Sequence, residues 1–312
     1  MGDIIYTTPV VRCLKQQLPN CEIYFLTKPE FKYIYQNNPY LTGLLTLKPS
    51  LKDTIKEIKG EKFDLIIDLH RNLRSTIIKL KTGIRSSTYK KDHLNKWLVL
   101  KFKWNKLISS KHLVERYLET VEFLGVKNDN KPIDYYIAKD YQLSDFLPET
   151  HQQKFIAFVI GATHFTKRLP NEKIIDICRG INLPVVLLGG NDVKENAAVI
   201  TAAIGTQVYS TCGKTNLDQS VFLVSKAHKV IGFDTGLTHI SEAFDKPLAS
   251  IWGGTTPELL GVQPYKITDS LIIEEDLDCR PCSKFGLEKC PLGHFKCMKN
   301  INTEIIANFV SA

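Results

Sequence analysis

The stretch Asp234-Thr235-Gly236-Leu-Thr-His239 directly follows the apolar run 229–233, so it reads as a strand that turns at once into a helix. Gly236 lets a ligand approach the backbone. The free N–H groups of the new helix, with its dipole, favour a bound phosphate. Asp234 ends the strand and faces the crevice where open α/β sheets hold ligands. A carboxylate repels phosphate, so its natural role is to accept hydrogen bonds from sugar hydroxyls; the competing reading makes Asp234 or Thr235 an ordinary helix N-cap. His239 either contacts the diphosphate or sugar or simply packs the helix. Lys167 follows the strand-like run 155–160 and Gly161. There it offers a compact cation to phosphate charge that grows as a glycosidic bond breaks. Glu195, just past Gly189-Gly190, can hydrogen-bond a ribose or belong to a helix surface.

Two further clusters draw attention. Between Lys81 and Lys111 lie Arg85, Lys90, Lys91, Lys96, Lys101, Lys103 and Lys106 against a single acid, Asp92, with Trp97, Phe102 and Trp104 interleaved. A solvated basic helix is the plain reading; an anionic substrate or a membrane surface is the functional one. No nucleic-acid motif accompanies the patch, so no nucleic-acid partner is expected. Lys96, Lys101 and Lys103 are the candidates for holding an anionic acceptor. The second cluster is Cys279, Cys282, Cys290 and Cys297, which opens Cys-x-x-Cys and encloses His294. A structural zinc on these thiols is the less favoured reading, because the spacing onward is wider than in common zinc modules. Reduced thiols in a loop ordered by packing are favoured.

The elements that must position these residues alternate. Helices are expected over 8–18, 51–59, 112–124, 171–180, 194–204 and 217–227. Strands are expected over 22–27, 44–47, 63–69, 155–160, 185–188, 208–210, 229–233 and 248–252. Strands separated by helices argue for parallel sheets. The polar stretch 128–153 reads as a crossover between an N-terminal domain, 1–140, and a C-terminal one, 150–312, with the Cys-rich segment 279–297. At 312 residues the chain is long enough for two cores. Its 43% hydrophobic and 24% charged residues are those of a globular protein. No apolar run approaches the roughly 18 residues of a membrane span, and Thr7-Thr8-Pro9 interrupts any signal peptide, so a cytoplasmic location is expected.

Taken in order, several segments resemble glycosyltransferase family 9, the family of ADP-heptose:lipopolysaccharide heptosyltransferases. They are Gly2-Asp3 through Thr7-Thr8-Pro9 and Arg12, then His112-Leu-Val-Glu115-Arg116-Tyr117, Gly161-Ala162-Thr163 with Thr166-Lys167-Arg168 and Pro170, and Gly189-Gly190 with Glu195. Asp234-Thr235-Gly236-x-x-His239, Gly253-x-Thr255-x-Pro257 and Cys290-Pro-Leu-Gly-His294 complete the series. Leu169 stands where the family has tryptophan. The resemblance implies a GT-B α/β fold of two Rossmann-like domains facing a cleft. It further implies inverting transfer of a heptose or similar sugar from an ADP-sugar to a lipopolysaccharide core acceptor, without metal, beside the inner membrane. Asp3 is then the catalytic base, Lys167 a catalytic cation, and Thr166, Glu195, Asp234, Thr235, Gly236 and His239 the donor site. Alternatives are a nucleotide-sugar epimerase or hydrolase of the same fold, and a non-catalytic nucleotide-sugar-binding module. An apolar strand normally precedes the Gly-Asp turn, so about ten further residues are expected upstream of Met1 in the gene.

Overall fold

A computed structural model describes residues 2–312, and the expected upstream strand and Met1 lie outside them. The chain divides into two compact units: residues 3–93 with 111–138, and residues 94–110 with 139–312. Among the described residues, ten strands form three sheets, all with parallel pairing.

In the first unit, β1 (Tyr24–Thr27) pairs with β2 (Gly43–Thr46), and β3 (Ile66–Asp68) pairs separately with β4 (Ser86–Thr88). A short helix, Gly2–Ile5, leads into the helix Thr8–Gln17, which buries Val10, Val11, Cys13 and Leu14. Arg12 of the family-like opening is structural. Its buried guanidinium pairs with Asp129 at 2.7 Å and with Asp134, tying that helix to the polar stretch near residue 130. The expected helix 112–124 is shorter: it spans Leu113–Leu118, and a 3-10 turn follows at Glu122–Leu124. The Thr120 hydroxyl donates to Tyr117 O at 2.6 Å, a local bond that competes with regular helix, and Gly125 closes the turn at φ 80°.

The second unit carries a six-stranded parallel sheet among the described residues. Its strands are β5 (Ile156–Val159), β6 (Val185–Leu188), β7 (Val208–Ser210), β8 (Lys229–Phe233), β9 (Leu248–Trp252) and β10 (Ser270–Glu274), in the spatial order β10-β9-β8-β5-β6-β7. The inner strands β5, β6, β8 and β9 are short, largely apolar runs buried along their whole length, as expected of a parallel sheet covered on both faces. The order reverses between β5 and β8. In sheets of this type a ligand sits outside the carboxyl ends of the strands at that point.

The basic segment departs from expectation. Its residues 94–110 group with the second unit rather than with the N-terminal domain. The helix His93–Phe102 buries Val99 completely, Lys96 Nζ donates to Leu260 O at 3.4 Å, and Lys103 Nζ donates to Cys279 O at 3.1 Å and to Pro281 O.

Candidate active site

The carboxyl ends of β5 and β8 deliver the two loops that bear the predicted donor residues. From β5 the chain runs through Gly161 into a 3-10 turn, Phe165–Lys167; from β8 it runs through Asp234 and Thr235 into the helix Gly236–Ser241. Lys167 Nζ bridges the two loops, pairing with Asp234 Oδ2 and reaching Asp234 O at 3.4 Å. Asp234 Oδ1 lies 3.0 Å from His239 Nε2, and His239 Nδ1 lies 3.3 Å from Glu242 Oε1. The other Glu242 oxygen accepts from Tyr265 N at 3.0 Å. The result is a buried chain of alternating charge, Lys167–Asp234–His239–Glu242.

Its electrostatics follow from that order. Burial lowers the pKa of His239, but the hydrogen bonds and charges of Asp234 and Glu242 outweigh it and raise the pKa to about 9. The Asp234 carboxyl is likewise opposed by burial, yet the His239 bond and the Lys167 charge hold it below the ordinary carboxylate range. At neutral pH His239 is therefore an imidazolium, held against the Asp234 carboxylate.

Two glycines let the loops close on each other. A Cβ at Gly232 would stand 2.2 Å from Thr238 Oγ1, so only glycine allows the helix 236–241 to lie on β8 this closely. A Cβ at Gly253 would stand 2.3 Å from Thr166 O, where the Lys167 turn rests on the end of β9.

The predicted site residues separate into groups. Lys167, Asp234 and His239 are brought together. Thr235 precedes the helix in extended conformation without a side-chain cap, its hydroxyl 3.2 Å from that of Thr238, and Gly236 is the first helical residue. Thr166 lies beside Lys167, but its hydroxyl accepts from Leu287 N at 2.8 Å while its own N–H donates to Leu287 O at 3.0 Å. That pairing makes it a tie between the turn and the Cys-rich segment. Glu195 is exposed in the first turn of the helix Lys194–Ile204. Asp3 belongs to the first unit, exposed on the helix Gly2–Ile5. Its charge acts on His70 and Tyr117 in that unit; at His70 it opposes burial, which holds the imidazole below its ordinary pKa. Lys96 and Lys103 are spent on backbone carbonyls, and Lys101 lies 5.0 Å from the centre of the Trp97 ring.

The sequence reading missed Glu242, the second carboxylate on His239. The available signal was its position one helical turn after His239, on the same face. It also missed what the Cys-rich segment does here. Phe295 stacks on Phe165 with ring centres 4.9 Å apart, Leu287 holds Thr166, and Arg280 donates to Gly253 O at 2.6 Å and Thr255 O at 3.1 Å. The segment clamps the Lys167 turn. Burial pushes the Cys282 and Cys297 thiols up to about 11. Among the described residues no three His, Cys, Asp or Glu side chains are grouped to hold a metal ion.

The sequence profile of glycosyltransferase family 9 (heptosyltransferase) matches residues 52–292. Lipopolysaccharide heptosyltransferase 1 of Campylobacter coli is 24% identical over 279 residues, covering 82% of each chain. Lipopolysaccharide heptosyltransferase 3 of Escherichia coli is 26% identical over 275 residues, covering 81% of each. Among solved structures, a family 9 glycosyl transferase from Veillonella parvula superposes with a TM-score of 0.77 at 20% identity, covering 98% of this chain and 92% of that one. The E. coli ADP-heptose lps heptosyltransferase II gives 0.72 at 17% identity, covering 99% and 94%. The fold is thus α/β of the GT-B type, and the chain belongs to glycosyltransferase family 9 and is a glycosyltransferase.

Proposed function

We propose that the protein is a cytoplasmic enzyme that transfers a heptose or similar sugar, with inversion, from an ADP-sugar to an anionic saccharide of the lipopolysaccharide core. The observation that carries this reading is the Lys167–Asp234–His239–Glu242 chain at the reversal point of the sheet, where a nucleotide diphosphate belongs. Relatives named as lipopolysaccharide heptosyltransferases support the choice of substrate class.

In this reading Asp3 removes the proton of the acceptor hydroxyl, and the oxygen attacks the anomeric carbon on the face opposite the diphosphate. The bond from that carbon to the leaving phosphate oxygen breaks, its electron pair stays on ADP, and the proton rests on Asp3. Lys167 meets the charge growing on the leaving phosphate. The ammonium must exchange part of its bond to Asp234 for the phosphate, which frees an Asp234 oxygen for a sugar hydroxyl. Thr235 and Gly236 complete the donor site, Thr166 holds the Lys167 turn in place, and Glu195 takes the ribose. With Lys167 and the free N–H groups at the start of the helix 236–241 to meet it, the diphosphate is bound without a metal.

Calorimetry of ADP binding tests the reading. The Kd is expected to be unchanged by chelator, and Lys167→Ala is expected to weaken it roughly ten- to a hundredfold, the value of about 1.5–3 kcal/mol for a charged hydrogen bond. A strict requirement for magnesium, or a variant that binds as tightly as the parent, would overturn it.

A further inference from the structure

The helix His93–Phe102 and the turn after it carry a surface that the donor site does not use. Leu94, Trp97, Phe102 and Trp104 are 68, 50, 47 and 56% exposed. They are not scattered. Trp97 meets Phe102 edge-on with ring centres 5.9 Å apart, and Phe102 lies against Trp104 at 5.2 Å. Lys101 Nζ stands 5.0 Å from the Trp97 ring centre and 5.4 Å from that of Phe102. On the other side Val99 is fully buried, and Lys96 and Lys103 bond to backbone carbonyls of the second unit. An anchored backbone thus presents the aromatic face outward.

Clustered exposed apolar side chains on a folded protein mark an interaction surface. The chemistry of this one is specific. From 94 to 110 the chain contains no Asp or Glu; Lys101, beside the rings, and Lys106, two residues after Trp104, are both exposed. Tryptophan prefers the headgroup layer of a bilayer, and lysine stems lie along apolar surface while their ammonium groups reach lipid phosphates. A basic, aromatic helical face of this kind binds in the plane of an anionic membrane. We propose that this face docks the protein onto an anionic phospholipid bilayer, with Trp97, Phe102 and Trp104 in the headgroup layer and Lys101 and Lys106 on the phosphates. It deepens the proposed function, in that a lipid-anchored acceptor would be met at this surface, but it is tested by binding and not by transfer.

The tryptophans make the test direct, because the third, Trp252, is fully buried. Vesicles of phosphatidylglycerol mixed with phosphatidylethanolamine are added to the full chain, with phosphatidylcholine vesicles as the neutral control. The protein is expected to float with the anionic vesicles, its emission to shift to the blue, and both effects to weaken as salt screens the lysines. Replacing both Trp97 and Trp104 by Ala should weaken partitioning about tenfold or more. Lys106→Glu should weaken it on anionic vesicles and leave the neutral control unchanged. Since these side chains are exposed, the variants should keep the parent's melting temperature. Measuring ADP affinity on the same samples separates failure of this proposal from failure of the donor reading. No flotation at low salt, flotation without an emission change, or a double variant that binds as tightly as the parent would each overturn it. So would self-association that the double variant abolishes, with no lipid binding, since that result assigns the face to a second copy.

Discussion

Between Asp234 and Glu242 the His239 ring meets a carboxylate at each nitrogen, and only an imidazolium can donate to both. Its pKa of about 9 lies above the ordinary histidine value, so the stability it lends is fully present below about pH 6.5 and is lost as pH rises through about 9. Glu242→Gln removes one of the two carboxylates. The variant should lose about 3 kcal/mol at neutral pH, as for a broken buried ion pair, and the deficit should shrink above about pH 9, where the parent's imidazolium also loses its proton. Urea unfolding of both proteins at neutral and alkaline pH checks this, and a deficit independent of pH would remove Glu242 from the charge chain. At this scale Lys167, Asp234 and His239 were legible because their partners lie on two short loops tied to strand ends. Glu242 was not, since a glutamate late in a helical run looks like a solvated face until its neighbours are known. Thr166 was legible as a position but not as a role, because its partner, Leu287, is 121 residues away.

Strand β8 and the helix after it form one device, and Gly232 sets their distance. Gly232→Ala would drive a methyl into the Thr238 side chain, lifting the helix 236–241 and with it His239. An overpacked core of this kind costs about 1–3 kcal/mol. The variant is expected to melt lower and to bind ADP more weakly, both read by calorimetry; unchanged ADP affinity would show that the spacing of helix and strand does not set the donor site. Most strands of the second unit were legible as elements: 185–188, 208–210, 229–233 and 248–252 stand at the bounds the sequence predicts. Two others were not. Ser86–Thr88 has no apolar residue to betray it, and Ser270–Glu274 lies at the sheet edge, half exposed, with acids beside it. The helix His93–Phe102 was legible as basic and aromatic, but not its attachment. The two anchoring lysines bond to carbonyls 164 and 176 residues away along the chain, and local periodicity does not report such contacts.

At the scale of the whole molecule, the ordered motifs suffice to identify the family and its GT-B fold. The reason is physical as well as historical: a doubly wound sheet places its reactive groups at strand ends, and those junctions carry the glycines, hydroxyls and charges that stand out in a sequence. The membership of residues 94–110 in the second unit was hidden, since nothing local distinguishes a basic helix packed on one unit from one packed on the other. The proposed division of labour assigns acceptor activation to Asp3 in the first unit and the donor to Lys167 and Asp234 in the second. The most direct test measures transfer from ADP-heptose to deacylated lipopolysaccharide core by the parent and by Asp3→Asn, with ADP affinity determined on the same samples. The parent should form the glycoside and release ADP only when acceptor is present. The variant should lose about 10²–10⁴ in rate while binding ADP as the parent does. A variant that keeps more than half of the parent's turnover, or a parent that releases ADP equally well without acceptor, would contradict the account.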